Sequence, residues 1–219
     1  MAACDPWTEQ EMILLLECNA MGAGDRVRNQ CLFAMQCCTG GRISELLGLT
    51  RKDVIDDIGR PYQRISFTNT KNGETRTVDM INPFALPFIR SWLLRLEEWG
   101  FAHGRNHLFV NTVGEPLTRH RWWTIIKAAS KECSLRGHYG THSARKTWAR
   151  DTYKHYHARA MTGELVDPLI KLQEAGGWKT IDSARRYIAF MLGDTAQAMV
   201  ALYPELQKKY GRPQDLTGN

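Results

Sequence analysis

Tyr187 follows Trp178 by nine positions, in a chain that carries Arg42-Ile43-Ser44-Glu45 far upstream and His142-Ser143-Ala144-Arg145 between. Two arginines, a lysine, a histidine, an indole and a late tyrosine suit one kind of chemistry. Together they can hold a phosphodiester and attack it with a phenolic oxygen, without a metal. The transition state of that reaction gathers negative charge on the non-bridging oxygens, so fixed cations must face them. Arg42 and Arg145 fit, because a planar guanidinium grips two phosphate oxygens and keeps its proton. The leaving sugar alkoxide needs a proton, which the Lys71 ammonium can give and a guanidinium effectively cannot. His142 can accept a proton or bond the phosphate, and Trp178 can donate only through its indole N–H. Tyr187 must lose its proton as it attacks. Glu45, one helical turn after Arg42, would orient the basic residues from behind. Taken singly, each has a plainer reading: surface charge for the cations, packing for the aromatics. Only their order along the chain sets them apart.

Those residues need elements to hold them. Thr8-Glu9-Gln10-Glu11 is a capping box for a helix reaching about Ala20. A second helix is predicted over Asp25–Cys38, stopped by Thr39-Gly40-Gly41, and a third starts near Arg42 with Ile43, Leu46 and Leu47 at helical spacing. Arg42 thus opens a helix after two glycines that let a ligand come close. Gln63–Lys71 and Thr75–Ile81 read as strands joined at Asn72-Gly73, which puts Lys71 at the lip of a hairpin. Helical patterns resume over Pro83–Trp99, Thr118–Cys133, Thr141–Tyr156, Pro168–Ala175, Ile181–Phe190 and Asp194–Leu206. The prediction is a mainly α (α+β) fold with a small antiparallel sheet, one domain over residues 1–219. Residues 1–41 would supply its N-terminal helices, and 192–219 a C-terminal helix and tail.

Hydrophobic residues make up 43% and charged residues 24%, enough for a true core. No apolar run approaches the roughly 18 residues of a membrane span, and the start shows no basic segment followed by an apolar one, so a cytoplasmic protein with no membrane partner is expected. The six cysteines (4, 18, 31, 37, 38 and 133) read as reduced core residues. A zinc site of Cys133, His138 and His142 has an unfamiliar spacing and no fourth ligand. Net charge is +6, yet residues 105–159 hold eleven Lys/Arg against three Asp/Glu. That concentration is the footprint of a polyanion binder, with a solvated basic face as the other reading. Within it, Thr118 begins a helix whose Arg119, His120 and Arg121 could reach a major groove, reading bases or touching phosphates alone. Lys146 is a further expected DNA contact.

Arg-x-Ser-Glu, a hairpin lysine, His-x-x-Arg, and Gly-Gly-Trp with a tyrosine nine residues on resemble the tyrosine recombinase (phage integrase) family. Ala149-Arg150-Asp151, Gln173-Glu174-Ala175-Gly176-Gly177-Trp178, Arg186-Tyr187-Ile188 and Ala198-Met199-Val200 extend the likeness over nearly the whole chain. The resemblance implies that family's catalytic-domain fold, no cofactor, and a site-specific recombinase of mobile genetic elements acting on double-stranded DNA. Arg42, Lys71, His142, Arg145 and Trp178 would activate the scissile phosphate, with Glu45 behind them. Tyr187 would form a 3′-phosphotyrosyl link and free a 5′-hydroxyl, storing the energy of the broken bond so that neither ATP nor metal is needed. Strand exchange would pass through a Holliday junction in a homotetramer on paired sites, with room for an accessory DNA-bending protein. The last helix would dock into a neighbouring protomer, or else pack on its own chain.

Two departures from the family pattern stand out. From His142 to Trp178 is 36 positions, longer than expected, with the surplus placed near His155–Glu164 as extended helix or loop. Only 41 residues precede Arg42, too few for the family's N-terminal core-binding domain, which is expected to be absent; a natural single-domain protein and a fragment both fit. Two rival functions share the features: a type IB topoisomerase-like relaxing enzyme, and a non-catalytic DNA-binding regulator of the same fold. A two-metal nuclease would need clustered carboxylates that the chain lacks.

Overall fold

The computed structural model describes residues 4–68, 75–79, 84–101 and 107–192. Lys71 with its predicted turn, and the predicted helix over 194–206, lie outside them.

Helix α1 (Glu9–Glu17) opens on the predicted capping box: Glu11 N–H donates to Thr8 Oγ1, and Thr8 N–H donates to Glu11 Oε2 at 2.7 Å. It ends short of Ala20 because Cys18 turns extended and the next backbone N–H groups, of Asn19 and Ala20, donate to the Glu132 carboxylate at 2.7 and 2.8 Å. Helix α2 (Arg26–Thr39), capped by Asp25, is buried at every residue from Cys31 onward. It is the central helix of the core, packed by α4 (Ala85–Glu98) and α6 (Ser143–Met161). Gly40 stops α2 at φ 60°, and a Cβ there would lie 2.3 Å from Trp148 Cδ2 on α6. Glycine is therefore required both by the left-handed turn and by the close approach of the indole.

Beyond the short α3 (Ile43–Leu47), β1 (Arg64–Phe67) and β2 (Arg76–Asp79) pair antiparallel with Ile65 opposite Val78 and Phe67 opposite Arg76. Of the predicted strand residues, 69–71 and 80–81 lie outside the described residues, and Gln63, Thr68 and Thr75 fall outside the ladder. Its inward face carries Ile65, Phe67, Val78 and, unexpectedly, Arg76. Helix α5 (Arg119–Glu132) follows, then α6, α7 (Pro168–Gly176) and α8 (Ile181–Leu192), the last three packing on one another, with β2 against α7. Helix α6 runs five residues past the predicted Tyr156, so the surplus near His155–Glu164 is taken up as helix and a tight turn, braced by an Arg159–Glu164 ion pair.

The lead-in to α1 is tied to α6: Trp7 N–H donates to Thr147 Oγ1 at 2.8 Å, and Arg150 Nη1 donates to the Trp7 carbonyl at 2.7 Å. The core is a single cluster that includes Trp7, Phe33, Trp92, Phe109, Trp122 and Trp148. The described residues thus form a mainly helical fold with one two-stranded sheet, as predicted. No helix among them is long and apolar enough to cross a membrane.

Candidate active site

Arg42 stands at the N-cap of α3 with an extended backbone. Its own N–H donates to Glu45 Oε2 at 2.8 Å and its Nη1 to Glu45 Oε1 at 2.6 Å, so the first turn of the helix fixes the arginine side chain against a buried carboxylate. The Arg42 side chain keeps 26% exposure while Glu45 has 1%. Burial alone would raise the Glu45 carboxyl, but Arg76, then the Arg42 N–H and guanidinium, outweigh it and hold it below the usual carboxylate range.

Arg145, on the first turn of α6, is fully buried. Its Nη1 donates to the Gly40 carbonyl at 2.6 Å and its Nη2 to the Gly176 carbonyl at 2.8 Å, joining the ends of α2 and α7. Nε has no partner among the described residues. Of a guanidinium's five N–H groups, the Gly40 and Gly176 carbonyls take two among the described residues. Burial, then the charge of Arg76, pushes its pKa down to about 10, so it stays protonated at neutral pH.

The guanidinium carbon of Arg145 lies 4.6 Å from the centre of the Trp178 ring and 5.5 Å from that of Tyr187. The two rings are 4.8 Å apart, and Trp148 backs Trp178 at 6.2 Å. Helix α8 buries Ala184 and Ile188, one turn apart, which leaves Tyr187 half-buried at the edge of the apolar stripe and turned toward the arginine. The tyrosine is not sealed in the core, and its ring lies beside the Arg145 guanidinium.

His142 occupies the N-cap of α6, exposed to solvent. Partial desolvation, then Arg145, Arg42 and Arg119, lowers its pKa below 6.5, so the imidazole is neutral at pH 7. The start of α5 carries the exposed basic residues expected to meet DNA. There Thr118 Oγ1 accepts from the Arg121 N–H at 3.1 Å, and Arg119, His120 and Arg121 are all exposed. His120 stacks on Trp123 at 5.9 Å, and Lys127 Nζ lies 6.0 Å from the centre of the same indole. Lys146, next to Arg145 on α6, is half-buried. Cys133, His138 and His142 do not gather: among the described residues no three His, Cys, Asp or Glu side chains are placed to hold a metal.

The structure therefore brings together Arg42, Glu45, His142, Arg145, Trp178 and Tyr187. It adds a residue absent from the predicted set. Arg76 donates from Nη2 to Glu45 Oε2 at 2.8 Å and from Nη1 to the Ala175 carbonyl at 3.2 Å. Its signal in the sequence was the strand alternation, which puts it in phase with Val78 on the buried face. Among the described residues Glu45 pairs with two guanidiniums, Arg42 and Arg76, while Arg145, whose charge is felt by the same group, makes no ion pair. A site so charged calls for an anion.

A profile of the phage integrase family matches residues 7–191. Tyrosine recombinase XerD of Corynebacterium glutamicum is 27% identical over 124 residues, 56% of this chain and 38% of that protein. Tyrosine recombinase XerC of Roseiflexus castenholzii is 31% identical over 121 residues, 51% of this chain and 34% of that protein. The chain thus spans well under half the length of these relatives. Among solved structures, a XerH site-specific recombinase in a post-cleavage complex with its difH substrate superposes with a TM-score of 0.63 at 23% identity, covering 90% of this chain and 52% of that one. A lambda integrase dimer bound to a core site gives 0.61 at 16% identity, covering 84% and 58%. Such identities speak for the fold alone. With the profile running from the lead-in of α1 to the end of α8, the chain belongs to the phage integrase family.

Proposed function

We propose that this chain cuts and rejoins double-stranded DNA as a tyrosine site-specific recombinase. The observation that carries this reading is the Arg145 guanidinium packed over both Trp178 and Tyr187. A scissile phosphate entering there meets Arg42 and Arg145 at its non-bridging oxygens, with His142 and the Trp178 indole as further hydrogen-bonding groups. Tyr187 Oη bonds to phosphorus as the P–O5′ bond breaks. The phenol proton leaves toward His142 or solvent, and the departing O5′ takes a proton from Lys71. Rejoining runs the same steps backward, with a 5′-hydroxyl attacking the phosphotyrosine. Family relatives described on DNA support a duplex substrate. Strand exchange by a tetramer through a Holliday junction, in the cytoplasm and with room for an accessory DNA-bending protein, belongs to the same reading. In motif detail the run around His142–Arg145 and Gly176–Tyr187 also resembles Cre recombinase, although the curated relatives found are Xer proteins.

The test begins with a pool of nicked duplexes of randomised sequence, incubated in EDTA, from which covalently trapped DNA is recovered and sequenced. The recovered site, placed twice on a plasmid, should yield recombinant circles. Relaxed topoisomers without recombinants would indicate a topoisomerase, and no trapped DNA would indicate a regulator.

Because the His142 pKa is lowered, its neutral form prevails above a point below 6.5. Cleavage that needs neutral His142 should be complete at pH 7 and fall as pH drops through that point. His142→Gln should flatten this acid limb; a limb that persists unchanged in the variant assigns it to another group. For α5, base readout by Arg119 predicts that Arg119→Ala costs ~1–3 kcal/mol on the recovered site and less on random duplex. Equal losses on both, with a shallower salt slope, would mean phosphate contact only.

A further inference from the structure

Resting on the proposed cleavage reaction, we infer that Arg76 is a positioning residue that fixes the aim of Arg42 by locking the Arg42–Glu45 pair to the end of α7. A guanidinium on the inward face of β2, 6% exposed, sits where Phe67 across the ladder and Val78 along the strand are apolar. Its desolvation is offset in part by Glu45 at 2.8 Å, the Ala175 carbonyl at 3.2 Å and the Phe67 ring at 4.8 Å, while Nε has no partner among the described residues. Apolar groups in place of the whole Arg76–Glu45 pair would hold the strand as well or better, since buried ion pairs add little net stability, whereas removing Arg76 alone leaves the Ala175 carbonyl without its donor. What the arginine adds is orientation.

The geometry shows how. Glu45 divides its two oxygens: Oε1 takes the Arg42 Nη1, and Oε2 takes both the Arg42 N–H and the Arg76 Nη2. Without Arg76 the carboxylate keeps its bonds to Arg42 alone, and the Arg42–Glu45 pair loses its tie to the end of α7. On the other side Arg76 holds the Ala175 carbonyl, while the next carbonyl, of Gly176, holds Arg145. Gly177 follows at φ 61°, and a Cβ there would meet Arg76 Cδ at 2.4 Å, so the arginine stem and the turn leading to Trp178 are in contact. One side chain thus connects the Arg42 half of the site to the Arg145–Trp178 half. It does so from the strand that follows Lys71 in sequence.

A readout specific to the aim of Arg42 is the charge at the scissile phosphate. A methylphosphonate there lacks the anionic oxygen, so a misdirected cation costs less. Single-turnover cleavage by the whole chain is measured on phosphate and methylphosphonate duplexes for wild type, Arg76→Lys, Arg76→Met and, as reference, Arg42→Lys. Each rate ratio comes from one preparation, so the folded fraction cancels, and Arg76→Lys serves if Arg76→Met does not fold. The expected result is about a tenfold or greater loss on phosphate, a fraction of one transition-state contact, and a phosphate-to-methylphosphonate ratio shifted in the same direction as in Arg42→Lys. Adding Glu45→Gln to either Arg76 variant should cost little more, as for residues acting in one chain of contacts. A ratio in the Arg76 variants equal to that of a wild type that cleaves overturns the inference and leaves Arg76 a packing residue. Failure of the wild type itself to form an adduct overturns the proposed reaction instead.

Discussion

Tyr187→Phe should abolish the covalent protein–DNA adduct, a fall on the order of 10⁴ or more in its rate of formation, while binding to the same duplex hardly changes. The ring of Tyr187 is held by Trp178 at 4.8 Å and faces Arg145, contacts that phenylalanine keeps. The substitution opens no cavity, and the residue is already half-exposed, so the fold has no reason to weaken. Denaturing gels report the adduct and native gels the binding. Retained adduct at the wild-type rate would move the nucleophile elsewhere.

Arg145 and Arg42 should separate in an informative way. Either change to alanine is expected to slow cleavage by about 10²–10³ if each supplies one transition-state contact. Their effects on stability differ. Removing Arg145 strips the buried Gly40 and Gly176 carbonyls of their donors, at about 1–3 kcal/mol for each orphaned group, and leaves a void beside Trp178. Arg42→Ala removes a part-exposed side chain whose partner Glu45 still has Arg76. Thermal melts should therefore fall markedly for Arg145→Ala and little for Arg42→Ala, with Arg145→Lys in between because one ammonium can serve one carbonyl. Rates normalised to active enzyme then compare chemistry alone. A full-speed Arg145→Lys would show that the guanidinium serves the fold only.

Much of this was legible locally. The Thr8 capping box, the Gly40 stop and the helical runs of α4 to α8 are short-range patterns, and helices are found at those places. The convergence of Arg42, His142, Arg145, Trp178 and Tyr187 followed from their order in a family pattern. Helix ends set by distant partners were not legible: α1 stops early because Glu132 claims the N–H groups of Asn19 and Ala20. Arg76 is not legible in the sequence because a charged strand residue ordinarily faces water, and its partners Glu45 and Ala175 are 31 and 99 positions away. Nor could sequence tell that two Arg145 nitrogens are engaged by backbone carbonyls. Burial of that kind depends on where α2 and α7 end in space.

The central claim is tested most directly by finding which atom carries the DNA. The nicked duplex recovered from the randomised pool is incubated with the full chain in EDTA, the trapped adduct is digested with protease, and the nucleotide-bearing peptide is sequenced by mass spectrometry. The expected product is a 3′-phosphoryl oligonucleotide esterified to Tyr187, with a free 5′-hydroxyl on the released strand. An adduct on any other side chain, a 5′-linked strand, or no covalent species at all would contradict the account.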